Sequence, residues 1–299
     1  MLPYDGLLCI FFMLQIIIGT FGNGLFLYLY IFNILTGQRI RPIELIFINL
    51  AFSNFAVILL RGVPWIIHSC IQKFFLGDTE CKIIIYFQRV ARSISTCTTC
   101  LLSVFQAITV SSGSPICVML KARGQKYIVP FCVFIWVLNL LVDGVVPLYV
   151  TGPKEATKSN LSRNLGLCSV DKYALNSSKL IIWKSLYDVL FVGLMAIASG
   201  YMVVVLYKHH WQVQHIHKTS VNPSSSPETR ATKVILFLMS FFVCFHSFSS
   251  LFIILMDNSK DISLWMIHVS VVFSLCYPTI SPFVLINSDS QIPNCYNPF

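Results

Sequence analysis

CKIIIYFQRVARSISTCTTCLLSVFQAITVS, residues 81–111, is long enough as a helix to cross a bilayer, yet it carries two arginines in its apolar sequence. A hydrocarbon core about 30 Å thick takes roughly 20 helical residues. Arg89, Arg92, Thr96, Thr99, Ser103 and Gln106 recur at spacings of three and four, which is one helical face, with Ser93 and Cys100 beside it. Lipid cannot satisfy such a stripe, so it must face other helices or a water-filled cavity. The segment therefore demands a bundle.

Six more apolar stretches of comparable length supply one, near residues 7–31, 43–67, 127–150, 180–207, 232–256 and 263–286. The chain is 56% hydrophobic and 11% charged, and its mean hydropathy is +0.75. An average soluble domain is about 25% charged. The apolar runs are continuous, whereas a β-barrel would alternate apolar and polar positions over roughly 10-residue segments. The predicted fold is an all-α membrane protein: one seven-transmembrane bundle over 1–299, with no room for a second domain. The first apolar run starts within a few residues of Met1 and exceeds a signal-peptide core of about 7–15 residues, so it reads as a retained span.

Seven spans put the termini on opposite sides. With the N-terminus outside, the inner loops carry Arg39, Arg41, Lys121, Arg123, Lys126, Lys208, Lys218, Arg230 and Lys233. The outer loops carry Lys73, Lys154, Lys158, Arg163, Lys172, Lys179 and Lys260. This is a small bias in the positive-inside direction. Two glycosylation sequons, at Asn160 and Asn176, fall in the 151–179 loop, and the opposite loops hold none. Cys81 opens the third span and Cys168 lies in that same loop, where a disulfide would need an oxidising compartment. The remaining cysteines lie mostly within spans, where reduced, packed thiols are expected. The N-terminus is placed outside. The net charge of +9 is then a matter of topology and of contact with anionic lipid; no basic stretch interleaved with aromatics points to nucleic acid.

Arg61, Arg89, Arg92, Asp143, Lys184 and Asp188 all lie within apolar sequence. Each would cost at least about 2.5 kcal/mol near the midplane if left to lipid. At 1.5 Å per helical residue, Arg89 and Asp188 lie about 12 Å from the outer ends of their spans and Asp143 about 10 Å, with Arg61 at a similar depth. The groups share one layer. Two readings follow: Arg89 or Arg92 pairs with Asp143 or Asp188 to hold the helices in register, or the layer floors a ligand pocket that also includes Thr96. An excess of cations would favour ligands with an acidic or strongly accepting group. His246 and His268 are expected to bond between helices, and Phe237, Phe241, Phe242, Phe245 and Phe248 mainly to pack.

The longest inner loop, about 208–231, holds His209, His210, His215 and His217. Their spacing matches no zinc pattern, so no metal or cofactor is expected. Ser226 can cap a helix that Pro227 begins, with Glu228 at its positive end. The sixth span would then extend into the cytoplasm with Arg230 and Lys233. Phosphate-binding loops, GxSxG elbows, HExxH pairs and dinucleotide fingerprints are absent, which argues against an enzyme.

Three stretches resemble type-1 vomeronasal receptors: RVARSISTCTTCLLSVFQAITVS (89–111), VQHIHKTSVNPSSSPETRATK (213–233) and YPTISPFVLI (277–286). GNG (22–24) and NLAFSN (49–54) are similar to the same family and, more loosely, to rhodopsin-like receptors. Asn54 stands where many of the latter have aspartate, Gln106-Ala107-Ile108 replaces Asp/Glu-Arg-Tyr, and Ser281-Pro282-Phe283 stands in place of Asn-Pro-x-x-Tyr. The resemblance implies a multi-pass plasma membrane receptor for pheromone-like small molecules, coupled to an inhibitory-type heterotrimeric G protein. It also implies a Cys81–Cys168 disulfide and glycosylation of the second outer loop. Lys121, Arg123, Lys218, Arg230 and Lys233 are the expected G-protein contacts. A transporter or channel is the alternative, although no internal repeat supports it.

Overall fold

The computed structural model describes residues 3–37, 41–71, 76–110, 115–152, 162–164, 167–171, 178–216, 227–258 and 264–288. Span one is the helix Pro3–Leu35. Span two joins Pro42–Val57, a π-helical turn Ile58–Gly62 and Val63–Ile71. Span three is Asp78–Val110. Span four, Pro115–Val142, closes in a 3-10 turn, Asp143–Leu148. Spans five, six and seven are Ser178–Ile216, Pro227–Asn258 and Leu264–Ser288. Seven helices are thus long and apolar enough to cross a membrane. Most extend beyond the expected apolar cores, and span six begins at Pro227, the position the sequence marked.

Local chemistry explains two departures from straight helix. Pro64 has no N–H for the carbonyl one turn earlier, and the backbone widens into the π turn that carries Arg61. The 3-10 turn at the end of span four contains Pro147 and buries Asp143. Beyond it a small antiparallel sheet, ordered β1 (Val150–Thr151), β3 (Ser169–Asp171), β2 (Ser162–Asn164), pairs Val150 with Val170 and Arg163 with Val170. The Gly152 N–H donates to Asp78 at 3.0 Å, and the Cys81–Cys168 disulfide ties the sheet to span three.

Span three is the central helix. Its buried residues include Ser93, Ser95, Thr96, Thr98, Thr99, Ser103 and Gln106, so the polar stripe does face inward. The reverse holds outside: Ile17, Val189, Ile197 and Leu141 are more than half exposed, as lipid-facing side chains should be. Gly19 allows spans one and seven to close up; a Cβ there would lie 2.7 Å from Ile58 Cδ1 and 3.0 Å from Thr279 Oγ1.

One expectation fails. Cys9 and Cys70 do not sit as reduced thiols within their spans; they form a second disulfide joining spans one and two. Packing brings the two helices together at the end that also carries Cys81–Cys168.

Candidate functional site

Below the sheet, the ionic layer divides into two groups. In the first, Asp143 is 3% exposed and faces span three. Its Oδ1 lies 4.0 Å from Arg89 Nε, and Ser93 Oγ donates to its other oxygen at 3.3 Å. Arg89 also donates to the Tyr149 hydroxyl, with its guanidinium carbon 5.9 Å from the Tyr149 ring centroid. This corner is satisfied internally: the aromatic face and the carboxylate both compensate the cation.

The second group surrounds a cavity of about 30 Å³ between spans two, three, six and seven. Arg92, Thr96, His246, Ser249, Ser274 and Tyr277 line it together with Ser95, Val57, Phe242, Phe273 and Pro278. Arg92 donates to Ser250 Oγ at 3.1 Å, and Thr96 Oγ1 donates back to the Arg92 carbonyl at 3.0 Å. Asp188 approaches from span five, attracting Arg92 and lying 3.9 Å from His246 Nε2. The His246 ring stacks on Phe242 at 5.1 Å, and Phe242 meets Tyr277 edge-on at 4.6 Å. From the π turn, Arg61 donates to Ser270 Oγ at 3.2 Å and repels Arg92. Arg61 Nε is buried without a hydrogen bond.

Under the cavity the polar interior is neutral. Asn54 accepts from Ser95 Oγ at 2.7 Å and donates to Ser281 Oγ at 2.8 Å. The Thr99 and Tyr277 hydroxyls lie 3.1 Å apart, Trp136 donates to Asn49 at 2.7 Å, and Asn49 donates to Thr98 at 2.9 Å. Spans two, three, four and seven are thereby joined through side-chain hydrogen bonds.

Of the residues expected at the site, Arg92 and Thr96 line the cavity, Arg61 and Asp188 flank it, and Arg89 and Asp143 form a separate pair. Lys184 lies on span five with its side chain outside the described residues, as do the side chains of Lys121, Arg123 and Arg230 on their helices. Lys218, Asn160 and Asn176 lie outside the described residues altogether, and Lys233 is exposed. Among the described residues, no group of three or more His, Cys, Asp or Glu is placed to hold a metal. Sequence reasoning missed Ser249, Ser250, Ser270, Ser274, Tyr149 and Tyr277. Serine in an apolar helix carries a weak signal, because its hydroxyl can bond its own backbone; the adjacent Ser249 and Ser250 were the best available hint.

Comparison with known proteins bears on the family and the fold. Residues 8–297 match the model of the vomeronasal organ pheromone receptor family. The human vomeronasal type-1 receptor 4 is 37% identical over 284 residues, covering 93% of each chain. The chimpanzee (Pan troglodytes) vomeronasal type-1 receptor 3 is 40% identical over 283 residues, covering 93% of this chain and 90% of the relative. Squid rhodopsin superposes with a TM-score of 0.71 at 19% identity, over 97% of this chain and 84% of that one, a likeness of fold.

Proposed function

The chain belongs to the vomeronasal organ pheromone receptor family, and from that premise we propose that it binds pheromone-like small molecules in the Arg92 cavity and activates an inhibitory-type heterotrimeric G protein. Family and fold are those of G-protein-coupled chemosensory receptors in the plasma membrane, not of enzymes. The cavity's position under the two disulfides supports the ligand assignment. Both bonds lie at one end of the bundle, and disulfides belong to an oxidising compartment, so that end and the N-terminus are assigned to the outside. Asn160 and Asn176 are then available to glycosylation, while Lys121, Arg123, Lys218, Arg230 and Lys233 face the G protein and the anionic inner leaflet.

Arg92 carries the reading: a cation lining a cavity whose other walls are aromatic rings, hydroxyls and the aliphatic Val57 and Pro278. Such a site suits an apolar body with one acidic or strongly accepting group. At about 30 Å³ the cavity must enlarge to admit an odorant-sized molecule, which requires its aromatic wall, Phe242 and Phe273, to shift. An agonist would therefore select a conformation in which spans five and six have moved relative to span three.

The test is ligand-dependent nucleotide exchange on a G protein in cells expressing the receptor, screened with steroid-like and volatile compounds of both neutral and acidic type. Acidic agonists should lose potency about 10- to 100-fold on Arg92→Gln, the worth of one charge-assisted hydrogen bond; neutral ones should lose little. Equal losses for both would reject the assignment of Arg92. Ligand-dependent flux without exchange would indicate a transporter or channel.

A further inference from the structure

Charges around the cavity do not balance. Three guanidinium groups, of Arg61, Arg89 and Arg92, share the layer with two carboxylates, of Asp143 and Asp188. Arg89 is matched by Asp143. Arg92 has Asp188 nearby, which also faces His246, while Arg61 is felt by Arg92 and by no carboxylate among the described residues. Among the described residues, Arg61 has one hydrogen bond, to a neutral serine, and its buried Nε has none. Arg92 likewise makes a single hydrogen bond, to Ser250, out of five N–H donors. Buried like charges of this kind are costly unless an anion joins them.

The cavity wall supplies what an anion needs. Ser249 is 1% exposed, lines the cavity, and its Oγ has no hydrogen-bond partner. Its hydroxyl can donate inward, as can the Arg92 guanidinium, whereas Ser274 already donates to the Val271 carbonyl and Tyr277 to Thr99. Among the described residues, no carboxylate lines the cavity itself. A volume of about 30 Å³ accommodates one or two water-sized particles, which suits a monatomic anion.

We infer that the receptor without agonist holds a halide ion, chloride under physiological conditions, in the cavity between Arg92 and Ser249. The ion balances the excess arginine charge and satisfies the Ser249 hydroxyl. It stabilises the closed cavity, and an acidic agonist has to displace it. The site concerns the unliganded protein and stands whether or not an organic molecule enters the same space.

Thermal unfolding of the purified, agonist-free receptor tests this at fixed ionic strength and pH. Sodium chloride, sodium bromide and choline chloride are compared with sodium gluconate. Chloride and bromide should raise the midpoint by roughly 3–6 °C over gluconate, saturably and regardless of the cation. Arg92→Gln should abolish the difference. Ser249→Ala, which removes only a hydroxyl, should raise the chloride concentration for half the shift about tenfold. Equal midpoints in chloride and gluconate, or a shift that follows sodium, would overturn the site and leave water as the occupant. If Arg92→Gln does not fold, Ser249→Ala decides alone: an unchanged chloride response there sinks the proposal.

Discussion

Removing Arg89 should damage this protein more than removing the carboxylate it faces. Arg89 Nε and Asp143 Oδ1 are 4.0 Å apart. At an effective dielectric of about 20, charges at that distance attract by about 4 kcal/mol. The two side chains are not equally placed: that of Arg89 is 33% exposed and that of Asp143 only 4%. Solvent on the arginine side screens the pair, and about 2 kcal/mol is a reasonable coupling. Asp143→Asn leaves a cation that still reaches Tyr149 and some water, at a cost of about 2 kcal/mol. Arg89→Gln strands a carboxylate in the packed interior, which costs about 3–5 kcal/mol. The double variant should cost about 2 kcal/mol less than the sum of the singles. Thermal half-inactivation of the solubilised receptor, followed by size-exclusion of the folded fraction, gives all four corners of the cycle. Strictly additive losses, or a milder effect for Arg89→Gln than for Asp143→Asn, would refute the pairing and return Arg89 to the cavity.

Three further outcomes are expected. Replacing Cys9 and Cys70 together by serine should lower stability by about 2–4 kcal/mol, since the bond joins residues 61 apart in sequence; a thiol-labelling assay should find neither cysteine reactive in the unreduced wild type. Gly19→Ala should cost about 1–3 kcal/mol by wedging span one from span seven, whereas Gly193→Ala, with nothing within 4 Å of its Cβ, should gain about 0.5–1 kcal/mol from helix propensity; the two melting curves, side by side, check the contrast. Trp136→Phe removes the donor to Asn49 Oδ1 and should cost about 1–3 kcal/mol, measured by the same half-inactivation.

The spans were legible because membrane helices announce themselves by length and hydropathy, with no need of tertiary knowledge. The inward direction of the stripe on span three was legible for a related reason: lipid leaves it nowhere else to go. Partner choice was not. Arg89 and Arg92 are three residues apart on one face and equally able to reach either aspartate by spacing; the rotation of spans four and five decides that Asp143 takes the first and Asp188 approaches the second. Cys9–Cys70 was hidden because Cys9 lies in the first apolar run and Cys70 just past the end of the second, and only the packing of spans one and two brings their Cα atoms to 6.0 Å. The π turn left a trace, Pro64 three residues after Arg61, which a reading attentive to missing donors could have used. The family resemblance needed no geometry, since its long motifs lie in the chain order itself.

The two polar layers also differ in what a ligand could disturb. Asn54 has both ends of its amide engaged, by Ser95 and Ser281, and bears no charge, so a change of charge a turn above has little purchase on it. Arg92 is different. It bonds Ser250 on span six and attracts Asp188 on span five, while its own backbone belongs to span three. Any anion that takes the Arg92 guanidinium competes with both contacts in one step. Arg92 is thus one side chain of span three that engages both spans five and six, beside Cys97 against Tyr187 and Ser103 against Met239, and a ligand engaging it would act on two helices at once. The neutral layer underneath keeps spans two, three and seven in register meanwhile. On the proposed ligand site, a charged contact above a hydrogen-bonded anchor would convert differential affinity at the cavity into movement of particular helices, which is the property a receptor requires.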